Sequence, residues 1–185
     1  MSIPTANLAR LLTQTARRLP DAPALLWRDV TWTWAELDAR VDRLAAALRE
    51  RGVAPGDRVL VHSRNTNAMV ESMWACWKAG AAWVPTNVRL TPAEAAYLAQ
   101  SSGAALLIRD HGFRDHAIAC AIPRVLAVGD AQDGEEDYEA ALAAATPPPP
   151  DHEAAVMPDH PAWFFFTSGT TGRPKAAVLT HGQMN

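Results

Sequence analysis

Short runs rich in Val, Leu and Ile alternate along this chain with helix-period segments that open on their own capping signals, and this alternation constrains the fold most. Thr33 followed by Glu36, and Thr91-Pro-Ala-Glu94, both match the pattern in which a threonine hydroxyl and a glutamate three residues on satisfy each other's backbone N–H groups. Apolar residues at three- and four-residue spacing then predict helices over 36–51, 66–79 and 91–102, with a first helix over 7–18 and shorter ones over 114–121 and 138–145. Between them Arg58–His62, Ala81–Val84, Ala104–Ile108, Arg124–Val128 and Ala162–Phe166 read as short buried strands, and Ala24–Trp27 with Val30–Thr33 as a hairpin turning on Arg28-Asp29. Strand and helix in alternation imply an α/β class: a mixed or parallel sheet of about five strands flanked by helices.

Charge and cysteine usage narrow the function classes. The 185 residues carry a net charge of −3 with no cluster of Lys and Arg, which argues against a nucleic-acid partner. Cys76 and Cys120 lie far apart, so neither a disulfide framework nor a structural zinc site is expected. The N-terminus lacks the pattern of a signal peptide and no window approaches the ~20 apolar residues that span a bilayer, so the expectation is a cytoplasmic protein with no transmembrane segment. The acidic run from Gly129 to Glu139 reads as a solvated loop or helix start, and no metal site is expected there because it lacks any ligand spacing. Met69, Met73, Trp74 and Trp77 form a stripe read as core. Pro147–Pro150 forces an extended connector, dividing the chain into an α/β portion (1–145), a proline-rich connector (146–160) and a strand–loop–strand unit (161–185).

That last unit carries the chemistry. Thr167-Ser-Gly-Thr-Thr-Gly-Arg-Pro-Lys175 packs four hydroxyls, two glycines and a lysine into nine residues. Glycines let backbone N–H groups turn toward an anion, hydroxyls add donors, and Lys175 adds a compact charge. Only two lysines occur against fifteen arginines, which singles out Lys78 and Lys175 as positions where an ammonium is wanted. Lys78, just before Gly80 at a helix C-terminus, has a structural explanation in the helix dipole, whereas Lys175 has none. The loop is not a Walker A motif, since Arg173 and Pro174 separate the second glycine from the lysine and a strand follows.

Phe165-Phe-Thr-Ser-Gly-Thr-Thr-Gly-Arg-Pro-Lys175 resembles the signature phosphate loop of the adenylate-forming superfamily, which includes acyl-CoA synthetases, peptide-synthetase adenylation domains and luciferases. It departs from many members in having Ala176 where they carry glycine. Trp32–Leu37, Gly56–Val61 and Lys78–Glu94 are similar to further segments of the family, and the last of these is closer to the acyl-CoA synthetases. The resemblance implies the opening part of the large N-terminal domain of such an enzyme. Its reaction would join a small-molecule carboxylic acid to ATP, with Mg2+, as an acyl-AMP, and then pass the acyl group to coenzyme A; fatty acid metabolism is the implied setting.

It also implies that Thr167, Ser168, Gly169, Thr170, Thr171, Gly172 and Lys175 bind the β- and γ-phosphates. His181 either reaches toward the acyl site or caps a helix beginning at Gly182. No catalytic residue is assigned, because the family's adenosine pocket and mobile C-terminal domain come later in the sequence. The missing C-terminal portion is therefore an expected partner, and the 185-residue chain alone is expected to be inactive. The alternatives are a stand-alone nucleotide- or phosphate-binding protein and a non-catalytic interaction protein.

Overall fold

The structure is a computed structural model that describes residues 6–146, 153–167 and 173–185. The chain runs α1 (Ala9–Arg18), β1 (Pro23–Trp27), β2 (Val30–Thr33), α2 (Trp34–Glu50), β3 (Arg58–His62), α3 (Asn67–Ala79), β4 (Ala82–Pro85) and α4 (Pro92–Ser102). It continues through β5 (Leu106–Arg109), α5 (Arg114–Cys120), β6 (Val125–Ala127), β7 (Glu136–Asp137), α6 (Tyr138–Ala144), β8 (Pro161–Thr167), β9 (Lys175–Thr180) and α7 (His181–Met184). Both expected capping boxes form, at Thr33/Glu36 and Thr91/Glu94, and α3 ends on Gly80 in the left-handed conformation.

One sheet of seven strands, in the order β7-β6-β5-β3-β4-β8-β9, organises the chain, and β1 pairs with β2 as a separate hairpin. The expectation of about five strands was low because two-residue β7 has no apolar signature and β9 closes back on β8. β7 through β8 are parallel in the sheet, while β9 is antiparallel to β8. Alternate residues feed two cores, as a sheet covered on both faces requires. Val59, Val61, Leu106 and Ile108 pack with α2, α3 and α6, whereas Leu60, Val84 and Leu107 pack with α4 and α5. Trp77 is buried, and Met69, Met73 and Trp74 pack on the core as the sequence implied.

The acidic run is exposed over 131–134 and becomes the start of α6 at Asp137, as expected, but it is also tied to the fold by ion pairs that the sequence did not show. Arg109, wholly buried at the end of β5, bonds to Asp130 and Glu135, and these pairs anchor the segment. Glu136 meets Arg51 at 2.5 Å, Asp137 accepts from the Ala140 N–H to cap α6, and Glu139 meets Arg40 at 2.6 Å. Asp130, Glu135, Glu136 and Glu139 each meet an arginine remote in sequence, which composition does not reveal. The connector expected over 146–160 is described from Glu153 onward, Pro147–His152 lying outside the described residues. Its end is stitched in by Ala154 N–H to Lys78 O (2.9 Å) and by Asn7 Nδ2, which donates to both Trp77 O and Ala154 O.

Lys78 is structural: it lies in the last turn of α3, where the helix dipole favours a cation, and it also makes ion pairs that the sequence did not show. Its buried ammonium donates to Asp38 (2.6 Å) and Asp42 (2.5 Å), tying α3 to α2. Burial raises the Asp42 pKa, and the Lys78 contact opposes that rise. Removing the ammonium in Lys78→Ala leaves two carboxylates facing each other, at a cost of about 2 kcal/mol; the figure is below that of a fully buried pair because Asp42 keeps some contact with water. Urea denaturation of the two proteins side by side measures it, and an unchanged midpoint would remove the pair from any account of stability.

Candidate functional site

Strands β8 and β9 hold the glycine- and hydroxyl-rich loop between their ends. Their antiparallel register sets Pro161 opposite Thr180 and Thr167 opposite Lys175, so the two ends of the loop sit side by side. β8 is anchored in the sheet beside β4, with Trp83 opposite Trp163 and the two indoles in edge contact at 4.9 Å. The loop therefore emerges at the carboxyl edge of the parallel strands, where α/β sheets place their ligands. Ser168, Gly169, Thr170, Thr171 and Gly172 lie outside the described residues.

Of the expected phosphate ligands that are described, Thr167 and Lys175 are both exposed. Among the described residues no carboxylate pairs with Lys175, in contrast to doubly paired Lys78. An unpaired ammonium at the mouth of an anion-type loop keeps its full charge available to a ligand. The loop's exit is held by a residue the sequence reading missed. Tyr97 on α4 donates its hydroxyl to Pro174 O at 3.4 Å, and the Arg173 guanidinium lies 5.6 Å over the Tyr97 ring. Tyr97 and Pro174 are 77 positions apart, so no local pattern marks the contact. A cavity of about 730 Å³ adjoins it, bounded by Glu94, Gln100, Cys120 and Arg173. Burial pushes the Cys120 thiol up to about 11, which keeps it protonated and unreactive at neutral pH.

His181 is not the helix cap. Thr180 takes that role, its hydroxyl accepting from Gln183 N–H while Gln183 Oε1 accepts from Thr180 N–H, and the helix starts at His181 instead of Gly182. The imidazole is fully buried, 6.4 Å from the Trp77 ring, and its Nδ1 accepts from Leu8 N–H at 3.2 Å. That bond assigns the proton to Nε2, which meets no partner among the described residues. Burial lowers the pKa to about 4, so the ring is neutral at physiological pH. A second buried histidine, His62 at the end of β3, was also missed: its Nδ1 lies 2.7 Å from Thr86 Oγ1, and it stacks on His116.

The family model of the AMP-binding enzyme matches residues 12–185. A feruloyl-CoA synthase of Amycolatopsis is 41% identical over 169 residues, covering 91% of this chain and 32% of its own length. A 3-oxocholest-4-en-26-oate–CoA ligase of Rhodococcus rhodochrous is 34% identical, covering 95% and 33%. Acetoacetyl-CoA synthetase of Streptomyces lividans superposes with a TM-score of 0.83 at 32% identity, covering 95% of this chain and 30% of that one. The chain thus spans about a third of the length of these relatives.

His181 makes stability depend on pH. Its folded pKa of about 4 lies below the ordinary 6.5, so below pH 6.5 the unfolded chain takes up a proton that the folded chain refuses. Stability is complete above pH 6.5 and is lost as the pH falls toward 4. His181→Asn, which keeps an acceptor for Leu8 N–H and cannot titrate, should reduce the loss between pH 7 and 4.5 by about 2 to 3 kcal/mol. His62, lowered in the same way, would retain its own share. Urea midpoints at both pH values decide this, and equal slopes for variant and parent would refute the assignment.

Proposed function

The chain belongs to the AMP-binding enzyme family, and from that premise we propose that residues 1–185 form the opening, phosphate-binding part of an ATP-dependent acid–thiol ligase. In the proposed reaction a carboxylate oxygen attacks the α-phosphorus of ATP. The bond to the bridging oxygen breaks, pyrophosphate leaves, and acyl-AMP remains. The coenzyme A thiolate then attacks the acyl carbon and AMP departs. CoA ligases and synthetases among the relatives support this reading.

The observation that carries it is Lys175 opposite Thr167 at the ends of the loop, its ammonium without a carboxylate partner among the described residues. Placed there, Lys175 would offset charge on the β- and γ-phosphate oxygens as pyrophosphate becomes the leaving group. Thr167, together with the hydroxyls and N–H groups of Ser168–Gly172, would supply hydrogen bonds to the same oxygens. Mg2+ accompanying ATP would share that charge. Tyr97 and Arg173 would fix where the lysine strand begins, so the loop's ends do not need reordering when the nucleotide arrives. Buried and neutral, His181 lies against Trp77 and Leu8, and a role at the acyl site would use its Nε2–H, unpartnered among the described residues, as a donor to a substrate oxygen.

In the full-length protein, Lys175→Ala should lower kcat/KM for ATP in the adenylation half-reaction by roughly 30- to 1,000-fold, the range expected when a charged contact to phosphate is lost. Lys175→Arg should recover part of it, because the planar fork is longer and competes with Arg173. Lys78→Ala should change stability and leave ATP kinetics alone. Carboxylate-dependent exchange of pyrophosphate into ATP measures all three. An unaffected Lys175→Ala enzyme would overturn the assignment, and exchange by the 185-residue chain alone would overturn the expectation that it needs further residues.

A further inference from the structure

A second concavity lies at the carboxyl edge of the sheet, away from the phosphate loop. The five strands β4-β3-β5-β6-β7 are all parallel, and the chain steps from β3 to β4 on one side before crossing to β5 on the other. The segment after β3 leads to α3 on the face of Val59 and Val61, and the segment after β5 leads to α5 on the face of Leu60 and Leu107. The two connections head for opposite faces, joined at their start by Arg64 and Asp110, and a crevice opens beside that junction at the ends of β3, β5 and β6. In open parallel sheets this reversal of strand order is where ligands bind.

The crevice is built, and its charged residues are Arg64 paired with Asp110, His111 facing Asp130 at 3.3 Å, and Arg28. Its volume is about 450 Å³, and it is bounded by Arg64 and Thr66 after β3, Asp110 and His111 after β5, Gly129 after β6, and the tip of the β1–β2 hairpin. Arg64 is held in place: its Nη1 donates to Asp110 at 2.8 Å and to His111 O at 3.0 Å, and its guanidinium lies 4.7 Å over the Phe113 ring. Asp110, only 7% exposed, also accepts from His111 N–H at 2.8 Å, so its charge is matched from within.

Arg28 is different. Trp27 pairs with Val30, which leaves Arg28 as the first residue of a two-residue turn with φ of 52°, a conformation that favours glycine. Its guanidinium lies 5.3 Å over the Trp27 ring, and among the described residues no carboxylate pairs with it. A strained arginine kept where glycine would relax the turn points to a use for the side chain.

We infer that the crevice at the ends of β3, β5 and β6 binds a phosphate monoester bearing a flat ring, with the phosphate between Arg28 and Arg64 and the ring beside Trp27. The Arg28 guanidinium and the Arg64 nitrogens other than Nη1 suit the terminal oxygens of a phosphate, and the indole face away from Arg28 offers a flat apolar surface. A cavity of this size is in the range of about 300–1,000 Å³ that holds small ligands. This site is independent of the reading given to the phosphate loop.

The test uses the full-length protein labelled with 5-fluorotryptophan, with the Trp27 fluorine signal assigned through Trp27→Phe. UMP should shift that signal saturably, and uridine and inorganic phosphate should each bind at least about tenfold more weakly, since each lacks half of the recognised chemistry. Arg28→Gly should weaken UMP binding at least about tenfold while melting at the same or a higher temperature, because glycine relieves the turn. Lys175→Ala should leave the Trp27 response intact. A Trp27 signal that UMP does not move, an Arg28→Gly protein that binds UMP like the parent, or a response abolished by Lys175→Ala would each overturn the proposal.

Discussion

Burial of β3 from both sides is the constraint on which the rest of the structure depends. Val59, Leu60, Val61 and His62 are all wholly buried, so this strand has no face to give to water. A strand of that kind is stable only with parallel neighbours on both edges and helices over both faces, and each parallel neighbour requires a crossover helix to reach it. α3 and α4 are those crossovers, and their caps set where each stops. The caps on α4 and the left-handed Gly80 after α3 are thus parts of the sheet's topology as much as of the helices. Placing β4 on one side of β3 and β5 on the other follows from sending α3 and α4 to opposite faces.

Much of this was legible because it is written in local patterns. Thr33/Glu36 and Thr91/Glu94 announce helix starts within four residues, and the apolar strands need only their own composition to be seen. What escaped reading depends on pairs distant in sequence. Asp130 and Glu135 look like solvated acids until β5 brings the Arg109 guanidinium to them, and Glu136 and Asp137 then extend the sheet by a strand with no hydrophobic residue. The candidate site divides in the same way. Its loop motif and Lys175 stand out as spacing, while Tyr97 and its hold on Pro174 exist only once the fold brings α4 to the residue that precedes β9.

The two lysines show how context decides the use of one chemical group. Lys78 has its ammonium between Asp38 and Asp42 on α2, so its charge is spent on cohesion. Lys175 stands at the start of an exposed strand with no such partner among the described residues. In a chain that otherwise uses arginine, both positions favour a compact charge on a flexible stem. At Lys78 that shape fits between two carboxylates, where a planar fork would demand more room. Lys78 sits in the last turn of α3 as its sequence position implied, and its two carboxylate partners, 36 and 40 positions away, add an interaction that no local pattern marks.

The carboxyl edge of the sheet accommodates more than one opening because parallel strands all direct their outgoing loops to that side. At β8 the outgoing segment turns back as antiparallel β9, which brings Thr167 and Lys175 together and concentrates donors at one point. After β3 and β5 the outgoing segments head for opposite faces instead, and the opening beside their junction is walled by residues drawn from four separate loops. The first arrangement suits a motif of contiguous residues, which sequence comparison finds easily. The second disperses its residues from Trp27 to Gly129, so a ligand there would leave no contiguous signature. Topology is the only place where such a site becomes visible, and the strand order that creates it is set by the same buried β3 that organises the fold.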